Sequence, residues 1–288
     1  MLGLPGTGKT TYMGALWHMA EEPSVMDIRE TSLPVNPRHI QKIAGKVRAI
    51  EEIQRTNHDD DGYYQGTIEF PDHGAVALRM HDRSGEQLQA LVERRHWPEL
   101  LAGEVAEANA LLLFLSDDQL ILPLSLRLAE GLSEGDPAKP AADALNRPVG
   151  VSNASDSATQ DDQASPAGYA HHYASTAAQL IDAMENILEK MDDRWPVRVA
   201  VVIAKFDRVQ GRTPREWLRE RVPALEAFLD NNPSRVAWET FGVCALGGAP
   251  EDRAELLEDD LHERAWARNA NGDSVPLSEP VRWALGWS

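Results

Sequence analysis

Residues 3–10 read Gly-Leu-Pro-Gly-Thr-Gly-Lys-Thr, and no other stretch restricts the fold as strongly. Gly3, Gly6 and Gly8 let the backbone take φ/ψ values that a Cβ would block. Successive N–H groups can then turn inward and form a concave anion site. Lys9 adds a mobile positive charge for outer phosphates, and the Thr10 hydroxyl is a hard oxygen donor suited to Mg²⁺. Directly behind, Met13, Leu16, Trp17 and Ala20 recur at the spacing of one helix face, and the dipole at the start of such a helix also favours anions. The pattern G-x-x-x-x-G-K-[ST] is that of a loop that cradles nucleotide phosphates between a strand and a helix. It leaves open which nucleotide is bound, and to what end.

The rest of the composition narrows the setting. The chain has 288 residues and a net charge of −18, long enough for one large α/β domain. That charge argues against a nucleic-acid surface, which needs clustered Lys and Arg, and against an anionic membrane surface. Apolar content of 42% and charged content of 26% are those of a soluble globular protein. Cys244 is the one cysteine, so no intrachain disulfide forms and a reducing cytoplasm is the expected compartment. No apolar run has the length of an integral membrane segment, and no secretory signal opens the chain.

Taken in order, the chain alternates strand and helix patterns. Only Met1 and Leu2 precede Gly3, whereas a buried strand ahead of such a loop usually has about five residues; the first strand is expected to be truncated at the N-terminus. After the helix behind the loop, Pro23, Pro34 and Pro37 punctuate an irregular segment. A second helix is expected over 38–55, with Ile40, Ile43, Val47, Ile50 and Ile53 on one side. His58 and Asp59 to Asp61 read as a solvated loop rather than a metal site, because consecutive carboxylates do not by themselves converge on an ion. Strands over 64–70 and 75–81, with Asp72-His73-Gly74 between them, form a hairpin. The second strand runs into Asp82-Arg83-Ser84-Gly85. A helix over 88–101 and a continuous apolar run over 108–116, suited to a buried parallel strand, come next. Residues 131–168 are rich in Ala, Asp, Ser, Pro and Gly and are expected to be a disordered insertion. His171 and His172, adjacent and therefore on different helix faces, read as incidental. A helix over 173–191, a buried strand over 197–204 leading into Lys205-Phe206-Asp207, a Thr213-capped helix to about 231, a strand over 236–243 leading into Cys244-Ala245-Leu246, and a short closing helix near 280–287 complete the reading.

Four elements thus follow strand ends in one order: the phosphate loop, Asp-x-x-Gly, Lys-x-Asp and Cys-Ala-Leu. In a doubly wound parallel sheet such ends share one edge, where ligands bind. In this order of motifs the sequence resembles the Ras-like, translation-factor-related P-loop GTPases. The long insertion, the Cys-Ala-Leu-Gly-Gly ending and the terminal Pro-x-x-Trp look most like the bacterial double-GTPase type. The resemblance spans nearly the whole chain and implies a single domain over 1–288 with a three-layer α/β/α fold, its central sheet mostly parallel with one antiparallel hairpin strand.

The resemblance also implies roles. Gly3, Gly6, Thr7, Gly8, Lys9, Thr10 and Thr11 would meet the phosphates, and Thr10 the Mg²⁺. Asp82 would reach the metal, and the Gly85 N–H would sense the γ-phosphate. Asp207 would accept from guanine N1–H and the N2 amine, a donor pair that adenine lacks. The Lys205 stem would lie over the base, and the Cys244, Ala245 and Leu246 segment would meet guanine O6 through the Ala245 N–H. Thr56 is the expected switch-loop Mg²⁺ ligand, Thr31 the runner-up and Thr67 a plain strand residue. Two departures stand out. Ala204 replaces the Asn or Thr that ties the base loop to the phosphate loop, which predicts modest guanine affinity. Glu86, with Gln87 next, replaces the water-orienting Gln, and a further negative charge near the γ-phosphate predicts slow or partner-dependent hydrolysis. Lys9, Gly85, Glu86 and Gln87 are the candidate catalytic residues. The expected function is a regulatory GTPase with GTP or GDP as ligand, Mg²⁺ as cofactor and a protein effector as partner. The alternatives are a nucleotide-dependent interaction module with little turnover and a P-loop ATPase whose Lys-x-Asp is coincidental.

Overall fold

A computed structural model describes residues 1–22, 28–35, 37–51, 63–81, 92, 99–123 and 174–287. The expected switch and catalytic residues Thr56, Asp82, Gly85, Glu86 and Gln87, the 131–168 insertion and the His171-His172 pair lie outside them.

The chain builds its framework from three apolar runs. The strands β5 (Ala110–Ser116), β6 (Val197–Ala204) and β7 (Val236–Cys244) pair in parallel, with Ser116 level with Ala204 and Ala204 level with Val243. The two-residue strand β1 (Leu2–Gly3) pairs in parallel with the other side of β5, Gly3 opposite Phe114. Side chains alternate between faces along each strand. Leu112, Phe114, Ala200, Val202 and Phe241 enter one core, and Leu111, Leu113, Leu115, Val199, Val201 and Ile203 the other. Both faces are covered, which is why these strands read as continuous apolar runs rather than alternating ones.

The first face carries α1 (Lys9–Glu21), α2 (Pro37–Arg48) and the closing helix α9 (Glu279–Ala284). The second carries α3 (Glu99–Glu107), α4 (Thr176–Lys190), α5 (Pro214–Arg221) and α6 (Pro223–Asp230). Ser175 caps α4 by accepting from the Ala178 N–H, and Thr213 with Glu216 forms a reciprocal capping box on α5, as Ser and Thr do at helix starts. The helix expected after Thr213, with a bend at Pro223, is two helices, because Pro223 opens a new one. The helix expected over 38–55 ends at Arg48, two residues before Ile50 turns to φ 52°.

Three strands and two short helices escaped the sequence reading. Strand β2 (Arg29–Val35) contains Pro34 and joins β3 (Tyr63–Phe70) and β4 (Gly74–His81) in a separate antiparallel sheet, where it lies at an edge with two register shifts. Proline is tolerated there because an edge strand leaves N–H groups unpaired anyway. The expected hairpin is β3–β4. Past β7, the short strands β8 (Trp266–Arg268) and β9 (Ser274–Val275) extend the main sheet antiparallel, after the short helices α7 (Arg253–Leu256) and α8 (Leu261–Arg264).

A groove of about 400 Å³ runs between β4 and β5, lined by Val76, Leu78, Val105, Ala110 and Leu112 among others, and Met1 and Leu2 form one end of it. The Met1 ammonium donates to the Arg79 carbonyl at 3.2 Å. Three alternating β-branched residues added ahead of Met1 are expected to enter it as a strand. Burying one or two such side chains stabilises by about 1.5–3 kcal/mol each, which for a chain of this length corresponds to a rise in Tm of about 3–10 °C. Calorimetry that shows no rise contradicts the reading of the slot as a strand position.

Candidate functional site

The parallel strands all end at one edge, and the loops leaving them meet there. The phosphate loop leaves β1. Gly6 and Gly8 have φ of 77° and 83°, values that only glycine adopts without strain. A Cβ on Gly8 would come 2.9 Å from the Ala204 Cβ, so the phosphate loop and the base-side loop touch through their smallest residues. Gly8 ends the loop and opens α1 with no side-chain cap, and the N-terminus of a helix favours an anion.

The Lys9 ammonium is buried inside the loop. It donates to the Gly3 carbonyl at 3.0 Å, the Leu4 carbonyl at 2.9 Å and the Thr7 hydroxyl at 3.4 Å. The Thr7 hydroxyl in turn donates to the Leu4 carbonyl at 2.8 Å. The Thr7 hydroxyl therefore shapes the loop from within. Thr10 stands in the first turn of α1, half-buried.

Across from Gly8 lies a cavity of about 80 Å³, lined by Gly8, Thr11, Tyr12, Ala204, Lys205, Asp207, Arg208 and the residues 243–246, with Gly248 and Pro250. The structure thus brings Gly8 and Thr11, Lys205 and Asp207, and Cys244, Ala245 and Leu246 to one cavity, although they come from three distant parts of the chain. Phe206 anchors the middle of Lys-x-Asp: it is buried, and its ring fills the space a side chain at Gly242 would need. Lys205 is left in the left-handed region at φ 56°, ψ 39°, a conformation that costs a non-glycine residue about 1–2 kcal/mol.

Cys244 is fully buried. Burial pushes its thiol pKa well up, and the Asp207 charge and the hydrogen bond to Asp207 push it further, against smaller opposing bonds from the Gly247 and Leu246 N–H groups. The thiol therefore stays protonated, and Cys244 shares the cavity wall with Asp207. Thr31 and Thr67 fall within β2 and β3, where Ser32 lies opposite Thr67.

Two contributors were not visible in the sequence. The first is Arg264, whose buried guanidinium joins three segments. Nε donates to the Leu246 carbonyl, Nη1 to those of Leu256 and Asp259, and Nη2 to those of Val47 and Arg48, at 2.7–3.3 Å. All five donors of the fork are used. Its stem also lies where a Cβ on Gly247, at φ 92°, would stand. The segment 246–247 after β7 is thus fastened to the end of α2. No local pattern announces an arginine that bonds only to backbone carbonyls, three of them 18 to 217 positions away. The second is the turn 116–119 after β5. Trp217 Nε1 and Arg221 Nε each donate to Asp117 Oδ1 at 3.1 Å, and Lys205 Nζ donates to Asp118 Oδ2 at 2.6 Å. The only sequence signal was its place at the end of a buried strand.

Among the described residues no group of three or more His, Cys, Asp and Glu can hold a metal ion, and no helix is long and apolar enough to cross a membrane. The Thr10 hydroxyl, on the first turn behind a cradle that Gly6 and Gly8 keep free of side chains, fits the single protein oxygen that a phosphate-bound Mg²⁺ needs from the phosphate loop.

A family model described as Double-GTPase 1 matches residues 1–284. Neither curated proteins nor solved structures give a match.

Removing the Arg264 fork leaves five carbonyls without their donor. Arg264→Ala is expected to destabilise the chain by about 3 kcal/mol. Arg264→Lys is expected to recover little of this, because an ammonium lacks the planar fork. Denaturant unfolding with both variants checks it; a loss under about 1 kcal/mol for Arg264→Ala contradicts the latch.

Proposed function

This chain belongs to the Double-GTPase 1 family, and on that premise we propose that it is a regulatory GTPase, which binds GTP with Mg²⁺, hydrolyses it to GDP and phosphate, and changes its affinity for a protein effector as it does so. One observation carries the reading: Gly8 of the phosphate loop and Asp207 of Lys-x-Asp line the same cavity. A phosphate loop alone serves any nucleotide. A carboxylate held at the base end, within reach of the segment 244–246, supports guanine.

The chain's own residues divide the work. The loop N–H groups and the α1 N-terminus take the phosphate oxygens. Lys9, whose ammonium satisfies itself on loop carbonyls, exchanges those partners for phosphate oxygens of higher charge. Asp207 accepts the guanine N1–H and N2 amine, and an adenine base leaves that carboxylate without donors. Thr10, with Asp82 and Thr56, would hold Mg²⁺, and the chemistry it would supply there is neutralisation of charge on the outer phosphates. Water adds to the γ-phosphorus as the bond to the bridging oxygen breaks, releasing GDP and inorganic phosphate. Gly85, Glu86 and Gln87 are assigned to sensing the γ-phosphate and orienting that water.

The Ala204 position favours a second reading in one respect. Where Gly8 and Ala204 touch, no side chain at 204 bonds the two loops, so binding with slow turnover is the alternative to efficient hydrolysis. Competition of GTP, GDP, ATP and xanthosine triphosphate for labelled GDP, with and without Asp207→Asn, tests the base assignment. The wild-type protein is expected to prefer GTP over ATP by at least about 100-fold, as loss of a buried charged pairing implies. Asp207→Asn is expected to weaken guanine nucleotides and strengthen the xanthine one, whose C2 carbonyl accepts from the new amide. Equal binding of ATP and GTP, unchanged by Asp207→Asn, contradicts the proposal, and phosphate release separates turnover from binding alone.

A further inference from the structure

The turn that follows β5 touches both halves of the site. Asp117 ties it to α5 through Trp217 and Arg221. On the phosphate side, Gln119 Oε1 lies 3.0 Å from where a Cβ on Gly6 would stand. On the base side, Asp118 receives the Lys205 ammonium at 2.6 Å, with Arg208 Nη1 at 3.9 Å. The second Asp118 oxygen accepts the Ser116 hydroxyl. Asp118 itself does not line the cavity, whereas Lys205, Asp207 and Arg208 do. Whatever Asp118 does for a bound base, it does through those neighbours.

This arrangement answers the gap at position 204. The two loops meet through Gly8 and Ala204 with a methyl group where a bonding side chain would tie them. Lys205, the next residue, sits in a left-handed conformation that its own backbone disfavours. The bond to Asp118 is the described contact that fixes the far end of its side chain. We infer that Asp118 is a positioning residue for the nucleotide: it holds Lys205 extended across the base end of the cavity and, through the turn pinned by Asp117, links the base-side loop to the phosphate loop in place of a side chain at 204. Partial burial opposes the ionisation of Asp118, but the bonds from Lys205 and Ser116 outweigh it and hold the carboxyl below its ordinary pKa. It is therefore anionic wherever the protein works near neutrality.

The inference rests on the guanine-nucleotide reading and deepens it. It assigns Asp118 to the affinity of the site and leaves Asp207 in charge of its selectivity. An exposed ion pair with no positioning role would contribute little, so the two cases separate by experiment. The measurement is the dissociation rate of fluorescently labelled GDP from the full chain, in the wild type, Asp118→Asn, Asp118→Glu, Lys205→Met and the double variant Asp118→Asn/Lys205→Met, each with its thermal midpoint. Asp118→Asn is expected to release GDP about three- to fivefold faster, the range an exposed but oriented charge pair supports, with the preference for GTP over ATP unchanged. Asp118→Glu, which keeps the charge, is expected to stay nearer the wild type. Lys205→Met keeps the stem and removes the ammonium, so Asp118→Asn is expected to add nothing on that background. A wild-type rate in Asp118→Asn overturns the inference while guanine binding stands. So does an undiminished effect of Asp118→Asn in the Lys205→Met background. If the wild type releases labelled ADP and GDP alike, the guanine reading fails and the inference with it.

Discussion

The parallel pairing of β5, β6 and β7 is the constraint from which the rest follows. Ser116, Ala204 and Val243 sit level across the sheet, so three chain segments that are far apart in sequence leave the sheet at the same height. Strand β1 brings the phosphate loop to the same edge, with Gly3 beside Phe114. Apolar side chains on both faces of these strands make the register hard to change, because a slip of one residue would exchange the two faces. The chemistry at the edge is therefore as fixed as the core beneath it.

On that edge the site is held mostly by groups that touch no ligand. Cys244 is buried, shares the cavity wall with Asp207 and ends β7 where the following loop begins. Arg264 fastens the same loop to the end of α2. Phe206 occupies the space left by Gly242 and so presents Lys205 and Asp207 on either side of itself. Each contact is modest alone; together they hold a carboxylate, a lysine and a short loop in fixed relation to the phosphate loop. A chain with a net charge of −18 must concentrate its cationic groups locally to hold polyphosphate, and Lys9, buried on loop carbonyls, is placed for that.

What the sequence made legible follows the range of the interactions involved. The phosphate loop is local chemistry, and its glycines and lysine are readable residue by residue. The buried strands declare themselves by continuous apolar runs, and α4 and α5 by their periodicity and capping residues. Strand β2 was hidden by Pro34, whose ordinary meaning is irregular chain and whose meaning here is an edge position. Strands β8 and β9 are too short to carry a pattern. Arg264 and Asp118 were hidden for a different reason: their partners lie up to 217 and 87 positions away, and only the fold brings them together. Cys244, read as part of a base-contacting segment, lines the same cavity as Asp207.

The central claim is that the phosphate loop and the base-side loop form one nucleotide site. Amide hydrogen exchange on the chain with GDP and Mg²⁺, compared with ADP and Mg²⁺, tests it most directly, because protection reports local opening segment by segment. The account predicts that GDP slows exchange in residues 6–11 and in residues 244–248 together, while ADP at the same concentration leaves 244–248 unchanged. Protection confined to residues 6–11, equal for GDP and ADP, would mean that the two loops do not share a ligand and would contradict it.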